Sequence, residues 1–173
     1  MSTISTVVVK KSSKSKLAAQ GDSNQLPKSN TSGNNAIQSR DQLRAKHALE
    51  QIEQLKKSGK ITDREIKSAV AGLPAMIHMN GLGHAFAFYL SDPKGFPARL
   101  AVVNAVFDWL NNHSGVYTSL QHLDIITPLL AITQSDLQTH QIAQQESQAY
   151  MLWLKKFARA LLTDSDLNTS SDH

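Results

Sequence analysis

From Ser68 to Ser91 the chain carries no Asp, Glu, Lys or Arg, yet it holds Val70, Leu73, Met76, Ile77, Leu82, Phe86, Phe88, Tyr89 and Leu90. Surface that apolar must leave water on folding, so the rest of the chain has to cover it. Asn80-Gly81 divides the run and predicts a left-handed stop, hence two helices meeting at a corner. Ile66, Ala69, Val70, Leu73, Met76 and Ile77 form one stripe of the helix entering the corner. Beyond it, Leu82, Ala85, Phe86, Tyr89 and Leu90 lie on one side with His84 and Phe88 on the other. That helix is nearly apolar all round, which predicts a place at the centre of a bundle. Pro74, Asn80, two His and three Gly interrupt the run. Backbone freed by such breaks is hard to satisfy in lipid, so the run reads as soluble core and no membrane contact is expected.

The flanks supply the cover. Ser39 with Gln42 is a capping box for a first helix that ends at Lys56-Lys57-Ser58-Gly59, and Thr62 with Glu65 opens the second. Pro74 predicts a kink, because it removes a backbone donor and crowds the carbonyl four residues back. Lys94 to Pro97 reads as a loop, followed by a helix whose apolar residues are Leu100, Val102, Val103, Val106, Phe107, Trp109 and Leu110. Asn111 to Gly115 ends it, and Val116 to Thr133 reads as a short helix with irregular flanks. Ser135 with Gln138 caps the last helix, whose stripe is His140, Ala143, Ser147, Tyr150, Leu154, Phe157 and Leu161. Trp153 at the edge of that stripe is expected to be buried against the two helices of the corner. No segment alternates with period two. The fold class is therefore all-α, a compact bundle of five or six helices over residues 39–163.

Residues 1–38 contain five Lys against Asp22 alone and no aromatic residue, whereas 39–173 balance thirteen basic with thirteen acidic side chains. The first segment is expected to be a disordered Lys/Ser-rich tail and 164–173 a frayed C-terminal one. With no cysteine in 173 residues, disulfides, thiolate nucleophiles and Cys-type zinc sites are excluded together, which suits the cytoplasm. Paired acids, a nucleophile with its base, HExxH and glycine-rich phosphate loops are absent from the sequence. His78 and His84 are split by the corner, and His113, His122 and His140 fall in three segments. No enzyme activity, metal or cofactor is expected.

Lys155, Lys156 and Arg159 fall at i, i+1 and i+4 on the last helix, facing away from its apolar stripe, and Arg64 with Lys67 lie opposite the stripe of the second. These five are the candidate RNA-backbone contacts. No aromatic residues interleave with them to stack bases, so a nucleic acid would be read by its phosphates.

Leu73-Pro-Ala-Met-Ile-x-x-Asn-Gly-Leu-Gly-x-Ala-x-Ala-Phe and Trp153-Leu-Lys-Lys-Phe-Ala158, in that order and at that separation, resemble the small α-helical subunit of the Cmr complex. That complex is the type III-B CRISPR RNA-guided effector of antiviral defence. The resemblance spans Gln42 to Leu162, and the family tends to have Arg where this chain has Lys156. It implies a non-catalytic subunit that stacks with further copies of itself in the inner filament, beside the crRNA-holding backbone. It also implies partners among the other Cmr subunits and contact with the target RNA. A helical protein-interaction adaptor without nucleic acid binding is the alternative. Deleting residues 1–36 should leave helical circular dichroism and melting temperature unchanged, because that segment lacks the apolar area to offset its ordering entropy. An insoluble truncation would show that the segment is packed.

Overall fold

A single hydrogen bond shows how the charge-free run is folded. The Tyr89 hydroxyl donates to the carbonyl of Ala69 at 2.9 Å, although twenty residues of straight helix would separate the two by about 30 Å. The chain has therefore doubled back between them. It does so at Gly81, whose φ of 81° and ψ of 164° lie in a region essentially reserved for glycine. Positive φ was expected there, but the ψ is extended, so the break is not a left-handed helical cap. Backbone dihedrals stay helical through Pro74, where a kink was predicted. Leu73 and Ile77 on either side of it are fully buried.

The computed structural model describes residues 38–117, 120 and 124–163, all within one unit, Ile37–His173. The expectations for tails over 1–38 and 164–173 fall, but for Gln38, outside the described residues. Five α-helices follow in order: α1 Arg40–Ser58, α2 Asp63–Tyr89, α3 Pro97–Asp108, α4 Thr127–Gln134 and α5 Leu137–Leu161, with a π turn Trp109–His113 continuing α3. The described residues contain no strand, and the class is all-α. Among them no helix is long and apolar enough to cross a membrane.

Local chemistry sets the helix starts. Ser39 Oγ accepts from the Gln42 amide at 3.2 Å while Gln42 Oε1 accepts from the Ser39 amide at 2.8 Å, and Thr62 and Glu65 repeat the exchange on α2. Gly59, at φ 60°, stops α1. On α5 the cap is Asp136, whose carboxylate accepts from the Thr139 amide at 2.9 Å, and not Ser135, whose hydroxyl donates back to the Ile132 carbonyl. The one-residue shift follows from the preference of a helix N-terminus for negative charge.

α5 packs on both α1 and α2, and α3 packs on α2. At the corner the Leu82 amide donates to Gln144 Oε1 of α5 at 3.3 Å. The second limb of α2 is not enclosed all round as predicted: Leu82, Ala85, Phe86 and Tyr89 are buried, but Phe88 is 49% exposed. One side stays open because α3 and α5 reach only the others.

The π turn brings Trp109 inward to 1% exposure, nearly parallel to Tyr150 at 5.5 Å between ring centroids and to His113 at 6.0 Å. Its indole N–H donates to Glu146 Oε1 at 2.8 Å. The same carboxylate accepts from Arg44 at 2.7 and 2.9 Å and from Arg40 at 3.3 Å. Glu146 is a carboxylate in the core, satisfied by three donors from two other elements. Burial pushes its carboxyl up, but the hydrogen bonds from Arg44 and Trp109 and the charges of Arg44 and Arg40 outweigh that, leaving it below the ordinary range.

Trp153 corrects an expectation. It is half-buried and sits against α1, not at the corner: its N–H donates to Asp41 at 2.8 Å on an exposed rim, and Phe157 stacks beside it at 5.7 Å. Trp109 occupies the buried tryptophan position instead.

Two stability experiments follow from this geometry. Trp109→Ala should cost about 3–5 kcal/mol, the range for emptying a core tryptophan site. Trp153→Ala should cost about 1–2 kcal/mol for a rim hydrogen bond and a cation–π contact; equal melting shifts in the two variants would contradict the assignment. Glu146→Ala leaves the buried indole N–H and Arg44 without their acceptor and should cost about 3–5 kcal/mol. A carboxylate with a depressed folded pKa stabilises fully above its unfolded pKa, and that contribution is lost as pH falls through the folded value. The wild-type melting temperature should therefore decline below about pH 4.5, the ordinary value for Glu146, and Glu146→Gln should decline less steeply over the same window.

Candidate nucleic-acid interface

The ends of three helices converge at one side of the bundle and fix where the predicted cations lie. Lys56, in the last turn of α1, donates to the Leu161 carbonyl at the end of α5 at 2.6 Å. Asp63, in the first turn of α2, accepts from the Thr163 amide at 2.8 Å. These ties hold the C-terminal part of α5 alongside the N-terminal part of α2. Val70 and Ala158 are each 1% exposed, and the small Ala158 lets the two helices approach closely.

Between them runs a cleft of about 250 Å³ lined by Lys67, Val70, Ala71, Lys155, Ala158 and Arg159. Lys67 and Ala71 are one turn apart on α2, as are Lys155 and Arg159 on α5, so each pair projects along the cleft from its own side. The floor is apolar and the cations stand on both rims. Such a cleft can hold an anionic backbone by charge without reading bases.

Three of the five predicted residues are thus brought together, and two are not. Lys156, expected on one face with Lys155 and Arg159, lies over the Trp153 ring at 4.4 Å, towards α1. The three positions still lie within about 100° of arc on the continuous helix α5, but the Lys156 ammonium turns to the Trp153 ring while Lys155 and Arg159 line the cleft. Arg64 is exposed and lines a second, larger groove of about 500 Å³ between the two limbs of α2 and the start of α3. In that groove the Arg99 guanidinium lies over the rings of Phe96, Phe88 and Tyr89 at 4.0, 5.1 and 5.7 Å. The expectation concerned the five predicted cations; here rings gather on another one, Arg99, with Phe96 from three residues before it and Phe88 and Tyr89 from the second limb of α2. Arg99 was not anticipated from the sequence.

His47 was missed as well. Its Nδ1 is 2.8 Å from the Tyr150 hydroxyl and its Nε2 2.8 Å from Asp108 Oδ2, and the π turn brings His113 Nε2 to 3.7 Å from the same oxygen. The three side chains offer ligand atoms within 4.8 Å of one another, a grouping the separate segments had hidden. Asp108 lies below the ordinary range, chiefly because His47 hydrogen-bonds to it; burial opposes this and Asn112 assists. What this group visibly does is join α1, α3 and α5, since both ring nitrogens of His47 already have protein partners.

A family model described as "CRISPR-associated protein (Cas_Cmr5)" matches residues 40–161. Among solved structures, the chain is similar to the crystal structure of a CRISPR-associated Cmr5 family protein from Thermus thermophilus. The TM-score is 0.56 at 24% identity, covering 73% of this chain and 100% of that one. At that identity the likeness establishes the fold. No curated protein matches the chain.

Proposed function

The chain belongs to the CRISPR-associated Cas_Cmr5 family, and from that premise we propose that it is a non-catalytic subunit of a Cmr complex that holds the RNA backbone in the cleft between α2 and α5. Family membership implies assembly with other Cmr subunits. The observation that supports the RNA contact is the convergence of Lys67, Lys155 and Arg159 on one apolar-floored cleft. In an RNA-guided effector the guide reads sequence by base pairing, so the protein has only backbone and shape to recognise, and cations on helix faces suffice. Stacking of further copies along the RNA, which the family resemblance implies, would repeat the cleft at intervals.

The test is the salt dependence of target-RNA retention by a complex assembled with K67A/K155A/R159A. Each phosphate neutralised adds about 0.7 to the salt slope for a single strand. The triple variant should keep its helical signal, assemble, and bind all target sequences more weakly with a slope lower by about 1–2. Lys156→Ala should change the slope little, because that ammonium rests on Trp153. A triple variant that assembles and retains RNA with the wild-type slope would show that this cleft is not on the RNA path.

A further inference from the structure

The groove between the limbs of α2 and the start of α3 combines features the function above does not use. Phe88 and Phe96 are 49% and 47% exposed, and Arg64 and Arg99 line the same groove. Among the described residues neither arginine pairs with a carboxylate. The acids nearby are already engaged: Glu65 accepts from the Thr62 amide at 3.0 Å and hydroxyl at 2.8 Å, and Asp92 accepts from the Gly95 amide at 2.8 Å. At Gly72 a β-carbon would stand 2.9 Å from the Tyr89 hydroxyl, so glycine lets the two limbs close behind the groove.

We propose that this groove is a nucleotide pocket, taking one unpaired base of single-stranded RNA against Phe88 and Phe96 and its phosphate at Arg64 and Arg99. The chemistry selects the ligand. Arg99 covers part of both rings, and the area each still exposes calls for a flat apolar partner, while two arginines without carboxylates call for an anion. A nucleotide joins both within one residue of a polymer. Arg99, already lying over Phe96 at 4.0 Å, presents its own planar face to a base and its N–H edge to a phosphate. The volume of about 500 Å³ lies in the small-ligand range of roughly 300–1,000 Å³, which one nucleotide fills, whereas a partner helix about 10 Å across rides over such a groove. A second depression lined by Asn80 and His84 shares Met76 and Phe88 with this groove. The inference rests on the reading that this subunit contacts RNA, and it adds a base contact to a backbone contact.

The test uses the full chain and a single-stranded oligoribonucleotide carrying 5-bromouridine, whose photocrosslinks form with aromatic side chains. Crosslinks should map to Phe88 or Phe96, the two exposed rings. F88A/F96A should lose them and bind the oligonucleotide about tenfold more weakly with an unchanged salt slope, since no charge is removed, while keeping its helical signal because both rings are half-exposed. Crosslinks confined to other segments, or wild-type affinity in F88A/F96A, would overturn the pocket. If F88A/F96A binds RNA normally but fails to join the other subunits, the groove is a protein joint and the pocket is likewise overturned. If K67A/K155A/R159A lowers the salt slope while F88A/F96A binds like wild type, the backbone cleft survives and only this pocket falls. If the wild-type chain does not crosslink at all, this inference falls, and retention by the assembled complex still decides the cleft.

Discussion

The position of α5 depends on a carboxylate that the core can tolerate only while it is fully hydrogen-bonded. Glu146 is 6% exposed and takes donors from α1 through Arg40 and Arg44 and from the π turn through Trp109. Because an uncompensated buried charge is far costlier than any single apolar contact is favourable, α5 has essentially one axial register in which this group is satisfied. A slip of one residue would turn Glu146 away from Arg44 and bring Gln145 or Ser147 to the indole. Hydrophobic contacts hold the bundle together without direction; the ionic hub selects which of the near-equivalent packings is used. The cleft at the far end of α5 inherits its geometry from that choice.

Features controlled within a few residues were legible in the sequence. Ser39 with Gln42 and Thr62 with Glu65 act as boxes because their partners lie three positions away, and Gly81 breaks the helix because no neighbour is needed to prefer positive φ. What required the third dimension was hidden. Glu146 reads as an ordinary polar residue in Gln-Gln-Glu-Ser, but it lies three residues after Ala143 and four before Tyr150, on the buried stripe. An acid in a core register demands a cation elsewhere, and that signal could have pointed to Arg40 and Arg44. The sequence also placed Lys155 and Lys156 together as neighbours in the chain, but it could not show that Trp153 takes the Lys156 ammonium while Lys155 lines the cleft. Arg99 carried no signal: one cation beside Phe96 becomes informative only when the doubled-back limb delivers Phe88 and Tyr89.

The surface thus divides by the kind of interaction it can offer. The α2–α5 cleft presents charge over an apolar floor, which binds strongly at low salt and indifferently to sequence. The groove around Arg99 presents π faces and guanidinium edges, whose attraction is short-ranged and much less screened. Both open on α2, from its outer side and from between its limbs, so one helix frames two chemically distinct surfaces.

The hub also governs when the protein can fold. The hub and the other ties between α1 and α5 join residues far apart in the chain: Arg44 and Glu146 are 102 positions apart, Lys56 and Leu161 105, and Asp41 and Trp153 112. Helical bundles usually fold fast because their contacts are local, but here the first helix described finds its main partner in the last. During synthesis at about 5–20 residues per second, α1 would wait several seconds before α5 leaves the ribosome. Until then the apolar limbs of α2 have only α3 and α4 for cover. Nascent chains are exposed to misassociation over that interval, so the speed of translation from α2 to the end of α5 sets how long that exposure lasts.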